Sequence, residues 1–165
     1  MIVLGLTMGM QPIVGYNFGA QKIDRVKQTL RLGIISGVVI TSSGFVICEF
    51  FPHAVSALFT DSDELIDLAV GGIRLTVLMF PFVGAQIVIG NFFQSIGKAK
   101  VSIFLSLTRQ LLYLLPCLLL FPNWWGLEGI WISMPVSDAL AFITAVISLM
   151  IYIKKVSKQH PVVAE

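Results

Sequence analysis

Five apolar runs, each close to the thickness of a bilayer, divide this chain, and no other feature limits its fold as strongly. A hydrocarbon core of ~30 Å is crossed by about 20 apolar residues in helix. That ruler places candidate spans at about 1–20, 32–58, 68–96, 101–121 and 125–153. The separators 22–27, 61–67, 98–100 and 122–125 are short and polar or turn-rich, as connections within a helix bundle are. Strands of a β-barrel would be shorter and would alternate; these runs do neither. Composition agrees. Of 165 residues, 56% are apolar and only 12% charged, against about 45–50% and about 25% for soluble domains. Mean hydropathy is +0.90. So few charges cannot cover a water-exposed surface of this size, which excludes a soluble enzyme, a nucleic-acid-binding module and a disordered segment. The fold class expected is all-α: a polytopic transmembrane bundle of five spans.

Placement of charge says more than the net value of +2. Every lysine and arginine except Arg74 and Arg109 falls in one of three places: residues 22–31 (Lys22, Arg25, Lys27, Arg31), the 98–100 turn (Lys98, Lys100), or the C-terminal segment (Lys154, Lys155, Lys158). The intervening connections carry none: one is acidic (Asp61, Asp63, Glu64, Asp67), the other is Asn123-Trp124-Trp125. With an odd number of spans, all three basic groups share one side, and the positive-inside rule makes it the cytoplasm. The expectation is a multi-pass protein of the bacterial plasma membrane, with residues 1–158 forming the bundle and 159–165 a cytoplasmic tail. Residue 1 would then lie outside, opening straight into hydrocarbon with no signal peptide. The simplest account is a piece of a longer protein, lacking at least one helix upstream.

Inside the spans three patterns stand out. Pro12, Pro81, Pro116 and Pro135 each remove a backbone hydrogen bond within a run, and such prolines tend to kink helices, as in transporters. The pairs Gly5/Gly9, Gly15/Gly19 and Gly33/Gly37, with Gly44 continuing the last face, are spaced for close helix packing. In the third run, at ~100° per residue, Thr76, Met79, Val83, Gln86, Gly90, Gln94 and Gly97 share an arc of roughly 80°, with Asn91 at its flank. An unpaired amide in hydrocarbon costs several kcal/mol, so this stripe faces protein or water: either interhelical hydrogen bonds or the wall of a wet cavity. Gln11 and Asn17 on the first run invite the same two readings.

Ionised groups inside the membrane are the sharpest candidates. Asp138 is 16 residues from Lys154, roughly 24 Å of helix, well within the bilayer. Arg109 follows Lys100 by nine residues, about 13 Å. A contact between them is possible although the ruler separates their depths by about 10 Å. Asp138 is then either a structural partner, for a hydroxyl, a backbone amide or Arg109, or a group that takes up a proton or cation. Arg74, Glu49 and Glu128 come near the outer surface, where pairing among them is expected. Cys48, Cys117, His53 and His160 stand apart, without metal-type or disulfide spacing. No catalytic constellation and no cofactor motif is present.

The stretch Gly9-Met10-Gln11-Pro12-Ile13-Val14-Gly15-Tyr16-Asn17-Phe18-Gly19-Ala20, followed by basic residues, resembles the eighth span of multidrug and toxic compound extrusion (MATE) transporters. Residues 57–61 resemble the end of the ninth, 91–100 the exit of the tenth, 106–110 with Pro116 the eleventh, and 126–131 with 134–138 the twelfth. The likeness is nearest to the MepA-like bacterial branch. It implies twelve helices in two six-helix bundles, of which this chain supplies five of the C-terminal six. It further implies antiport of amphipathic, often cationic compounds against H⁺ or Na⁺. Its partners would be those small molecules, the lipid bilayer and the absent N-terminal bundle, with no nucleic acid. Gln11, Met79, Gln86, Asn91 and Tyr113 are the candidate cavity residues, with Arg109 and Asp138 as intramembrane supports. The acidic residues that sodium-coupled members carry on the seventh and tenth spans have no counterpart here, so coupling chemistry is expected to lie mostly outside this chain. Two other readings stand beside this one: a lipid-linked oligosaccharide flippase of the same superfamily, and a non-transporting membrane scaffold subunit.

Overall fold

The structure is a computed structural model that describes residues 1–159, with side chains described through Val156; the tail expected at 159–165 falls, beyond Gln159, outside the described residues. The described residues are almost entirely helical, with no strand among them. Their order is α1 (Ile2–Gly19), α2 (Ile23–Phe50), α3 (Pro52–Ala57), α4 (Asp63–Val77), α5 (Phe80–Ser95), α6 (Ala99–Leu107), a π-helical turn (Thr108–Leu114), α7 (Leu115–Leu120) and α8 (Pro122–Gln159).

Three helical stretches are long and apolar enough to cross a membrane: Ile23–Phe50, Ala99–Leu120 and Pro122–Val156. A fourth emerges if α4 and α5, bent by 49° at their junction, count as one broken span. The first expected span, α1, does not reach that level: Gln11, Asn17 and four glycines dilute its 18 residues. Three of the five expected crossings therefore have a helix of the required length and apolarity, and a fourth is met only by the bent pair α4 and α5.

Several boundaries differ from the sequence expectation, each for a local reason. Residues 22–31 are not a loop. α1 stops where Gln21 adopts a left-handed backbone (φ 58); Lys22 N–H then bonds Asn17 O at 2.9 Å and Gln21 N–H bonds Phe18 O at 3.1 Å, the paired bonds of a Schellman stop. Reversal takes so few residues that α2 begins at Ile23, with its basic first turns beyond the apolar run. The 32–58 span is interrupted at Phe51, because Pro52 opens a new short helix. The 68–96 span breaks at Leu78–Met79, and Pro81 lies in the first turn of α5, where its missing N–H removes no helical bond. Pro116 likewise starts α7, while Pro12 and Pro135 stay inside α1 and α8. At 122–125 the chain is already helical, and the turn is made by Gly126 (φ 54, ψ −131).

Helix α5 is the hub. It packs against α1, α2, α6 and α8, and its contact with α2 is the most extensive in the molecule. Buried residues on α1 (Val3, Thr7, Met10, Val14) and α2 (Val26, Leu30, Gly33, Gly37) recur every three to four positions, the spacing of a helix–helix seam. Val88, Ile89, Phe92 and Phe93 of α5 fill the centre, joined by Ala145 and Leu149 of α8. A Cβ on Gly33 would stand 2.7 Å from Met10 Sδ, and one on Gly37 3.1 Å from Gly84 O. The expected Gly33/Gly37 packing face is thus in use. Gly5, Gly9 and Gly19 have nothing within 4 Å of that point, so their expected packing role is not seen.

Large apolar residues such as Leu32, Val39, Leu112, Leu119 and Ile151 are exposed, while Thr7, Gln86, Thr108, Ser133, Ser137 and Asp138 are buried. An apolar exterior around a partly polar interior is stable only in lipid. Helix α4 seats on α8 through Gly72, where a Cβ would come within 2.8 Å of the Trp131 indole. Gly72→Val is expected to unseat that ring at a cost of about 1–3 kcal/mol. The readout is a lowered melting temperature with a shifted Trp131 emission in a variant lacking Trp124 and Trp125.

Candidate functional site

Arg109 sits at the middle of the arrangement. It lies on the π-helical turn, whose i→i+5 bonding accommodates one more residue than a regular turn, a device found often at functional positions. Its Nε–H donates to Asp138 Oδ1 of α8 at 2.8 Å. The carboxylate side chain is 9% exposed and the guanidinium 35%. The two groups meet despite the difference in depth that the ruler gives them. Four residues on, Tyr113 reaches Thr144 Oγ1 at 2.8 Å. Thr144 already donates to Leu140 O at 2.9 Å, so the tyrosine hydroxyl is the donor. These two contacts dock the turn onto α8.

A cavity opens on each side of Arg109. One, of about 330 Å³, is lined by Gln86, Gly90, Asn91 and Gln94 of α5, facing Ser102, Ser106, Arg109 and Gln110, with Leu4 of α1 at its edge. The other, of about 510 Å³, is lined by Thr76, Phe80, Leu114, Met134 and Ser137 together with Arg109, Gln110 and Asp138. Both volumes fall within the range of small-molecule sites. The polar stripe of the third run is therefore shared between them by the bend at Leu78–Met79: Gln86, Gly90 and Gln94 face the first cavity and Thr76 the second.

Gln86 is the most telling member. It is 8% exposed, and its Oε1 has no hydrogen-bond partner. Asn91 is half satisfied, donating Nδ2–H to Ile87 O at 3.1 Å. A buried carbonyl oxygen left unpaired costs about 1–3 kcal/mol; Gln86 lines the first cavity, although that oxygen itself is closed off from it.

Of the candidates read from the sequence, Gln86, Asn91, Arg109 and Asp138 come together around these cavities. Gln11, Met79 and Tyr113 line neither. Gln11 is half-buried on α1; Met79 stands at the bend before α5, which turns it off the stripe it would share in a straight helix; Tyr113 is held by Thr144. Sequence reasoning passes over Ser102, Ser106 and Gln110, although polar residues at i, i+4 and i+8 on an apolar run are a readable face. Nearer the surface, Arg74 and Glu49 form a loose pair at 3.8 Å. Among the described residues no cluster of three or more His, Cys, Asp or Glu could hold a metal ion.

An apolar-coated helical bundle with an internal ion pair is the architecture of a multi-pass membrane protein. The MatE family model matches residues 1–119, and the chain belongs to that family. The multidrug export protein MepA of Staphylococcus aureus (strain MSSA476) is 24% identical over 157 residues, which cover 93% of this chain and 33% of that protein. The solved MATE multidrug transporter DinF-BH is 37% identical with a TM-score of 0.84, over 90% of this chain and 33% of that one. An inward-facing MATE family transporter of the MOP superfamily gives a TM-score of 0.88 at 19% identity, over 94% of this chain and 37% of its own. The chain thus spans about a third of the length of the relatives it matches.

Proposed function

We propose that this chain is the C-terminal part of a multidrug efflux antiporter, in which it exports amphipathic, often cationic compounds in exchange for H⁺ or Na⁺. Its five crossings supply most of one bundle, its three basic ends face the cytoplasm of a bacterial cell, and a partner bundle of the same protein completes the path. The observation that carries the reading is the cavity of about 330 Å³ in which Gln86, Asn91 and Gln94 of α5 face Ser102, Ser106, Arg109 and Gln110. A guest with an apolar body and a few hydrogen-bonding groups fits a wall of that kind, which a purely structural bundle would not need. Asp138 acts in this reading as the support that holds Arg109 in place.

A lipid-linked oligosaccharide flippase would need several inward arginines or lysines for a pyrophosphate. Here both cavities share a single arginine, already neutralised by Asp138. A scaffold subunit would need no wet interior.

Gln86→Met keeps the volume and removes the amide. In a protein of the relatives' full length, reconstituted in liposomes, it is expected to weaken uptake of a cationic dye about tenfold, equivalent to one lost hydrogen bond of about 1.4 kcal/mol. Its melting temperature should stay level or rise, since an unpaired polar atom has gone. Unchanged transport with lowered stability would instead make Gln86 a packing residue. Cysteines at Gln86 and Asn91, introduced after Cys48 and Cys117 are removed, should react with a water-soluble thiol reagent; complete protection would favour the scaffold.

A further inference from the structure

We propose that the groove between the start of α6 and the end of α8 is a binding site for the headgroup of an anionic phospholipid. The groove encloses about 420 Å³; Val101, Phe104 and Ile151 line its apolar wall, and Lys98, Lys100 and Lys155 line it as well. None of the residues lining it is acidic, and among the described residues no ion pair engages these lysines. Three lysines on one groove without a counter-charge make it a place of positive potential that favours an anion.

The lysines are placed by the backbone rather than by chance proximity. Gly97 (φ 76) ends α5, with Lys98 N–H bonding Phe93 O at 2.9 Å, so the chain turns at once into α6. Lys98 Nζ then stands 4.5 Å from the centre of the Tyr152 ring on α8, a cation–π contact that fixes one ammonium at the groove. The 98–100 separator is where the chain leaves the apolar zone, so the charges stand at the height of lipid headgroups.

Chemistry separates lipid from free phosphate. Inorganic phosphate would use only the ammonium groups. A phospholipid also covers Phe104 and Ile151, which are 56% and 64% exposed, with its acyl chains. Basic pockets between spans at a membrane face bind lipid headgroups, each lysine adding about 1 kcal/mol, or roughly fivefold in affinity.

The test uses the protein as its host makes it, purified in neutral detergent, with native mass spectrometry to count retained lipid. Phosphatidylglycerol is expected to stay bound at least several-fold better than phosphatidylcholine. The triple variant K98Q/K100Q/K155Q should lose this preference, and Lys100→Gln alone, at an exposed position that the fold does not need, should weaken it about fivefold. K22Q/R25Q/K27Q, which removes equal charge away from the groove, should leave it intact. Phe104→Gln should weaken lipid retention while keeping all three charges. Equal retention of the two lipids, equal losses in both triple variants, or displacement of the lipid by millimolar inorganic phosphate would each overturn the proposal.

Discussion

Gly84→Leu is expected to leave no folded protein in detergent extracts. The backbone of α5 passes α2 so closely here that a Cβ would stand 2.5 Å from Gly37 O and also meet the Thr41 hydroxyl. Neither obstacle can step aside. Gly37 O is backbone, and Thr41 is tied to it by a 2.9 Å hydrogen bond. Overpacking against flexible side chains costs about 1–3 kcal/mol; prying apart the principal helix pair of the bundle costs more and also uncovers Val88. Fluorescence-detected size exclusion reads the outcome directly. A monodisperse, thermally unchanged Gly84→Leu protein would show that α2 and α5 do not meet at this point. Gly90→Leu is the matched control, since nothing lies within 4 Å of its missing Cβ; it should fold.

The second large effect is an asymmetry. Arg109→Leu strands a carboxylate that is 9% exposed, whereas Asp138→Leu strands a guanidinium that is 35% exposed and opens onto both cavities. Removing one partner of a buried pair costs about 3–5 kcal/mol when the survivor is fully enclosed. Arg109→Leu is therefore expected to cost about 3 kcal/mol. Asp138→Leu should cost clearly less, because the arginine can turn toward solvent. R109L/D138L should recover most of the larger loss, as apolar replacements of ion pairs often do. Denaturation of the three purified variants measures all of this as a double-mutant cycle. Equal single losses that simply add in the double variant would remove the pair from the account of stability.

How far the sequence alone leads is clearest at individual turns. Gly97 is a visible stop: only glycine enters a left-handed backbone without strain, and a helix does end there. Gln21 does the same job with a side chain that gives no such signal, so residues 22–31 read as a loop although α2 starts at Ile23. The break at Leu78–Met79 is half-visible through Pro81, since a proline in the first turn of a helix marks a boundary just upstream. The continuous apolar character of the run hides it, so Met79 reads as part of the stripe although it stands at the bend. Gly33 and Gly37 are legible as a packing face, but the glycine they meet, Gly84, belongs to no such pair and only the three-dimensional arrangement reveals it. Gln86, Asn91, Arg109 and Asp138 can be found because polar atoms in hydrocarbon must be explained one by one. Gln11 stands out on the same ground; Tyr113 is a candidate only through the family resemblance, and its hydroxyl is held by Thr144.

The widened turn at Thr108–Leu114 sets the phase of everything before it. It is the mark of one surplus residue in a rod that would otherwise wind evenly, and losing that residue would leave a smoother, more conventional helix. Yet the excision would swing everything on its upstream side by roughly 100°, carrying Arg109 off Asp138 and out toward the acyl chains. The apolar coat of that rod plays no part in this geometry, whereas the number of residues between Lys100 and Pro116 sets the side on which Arg109 emerges.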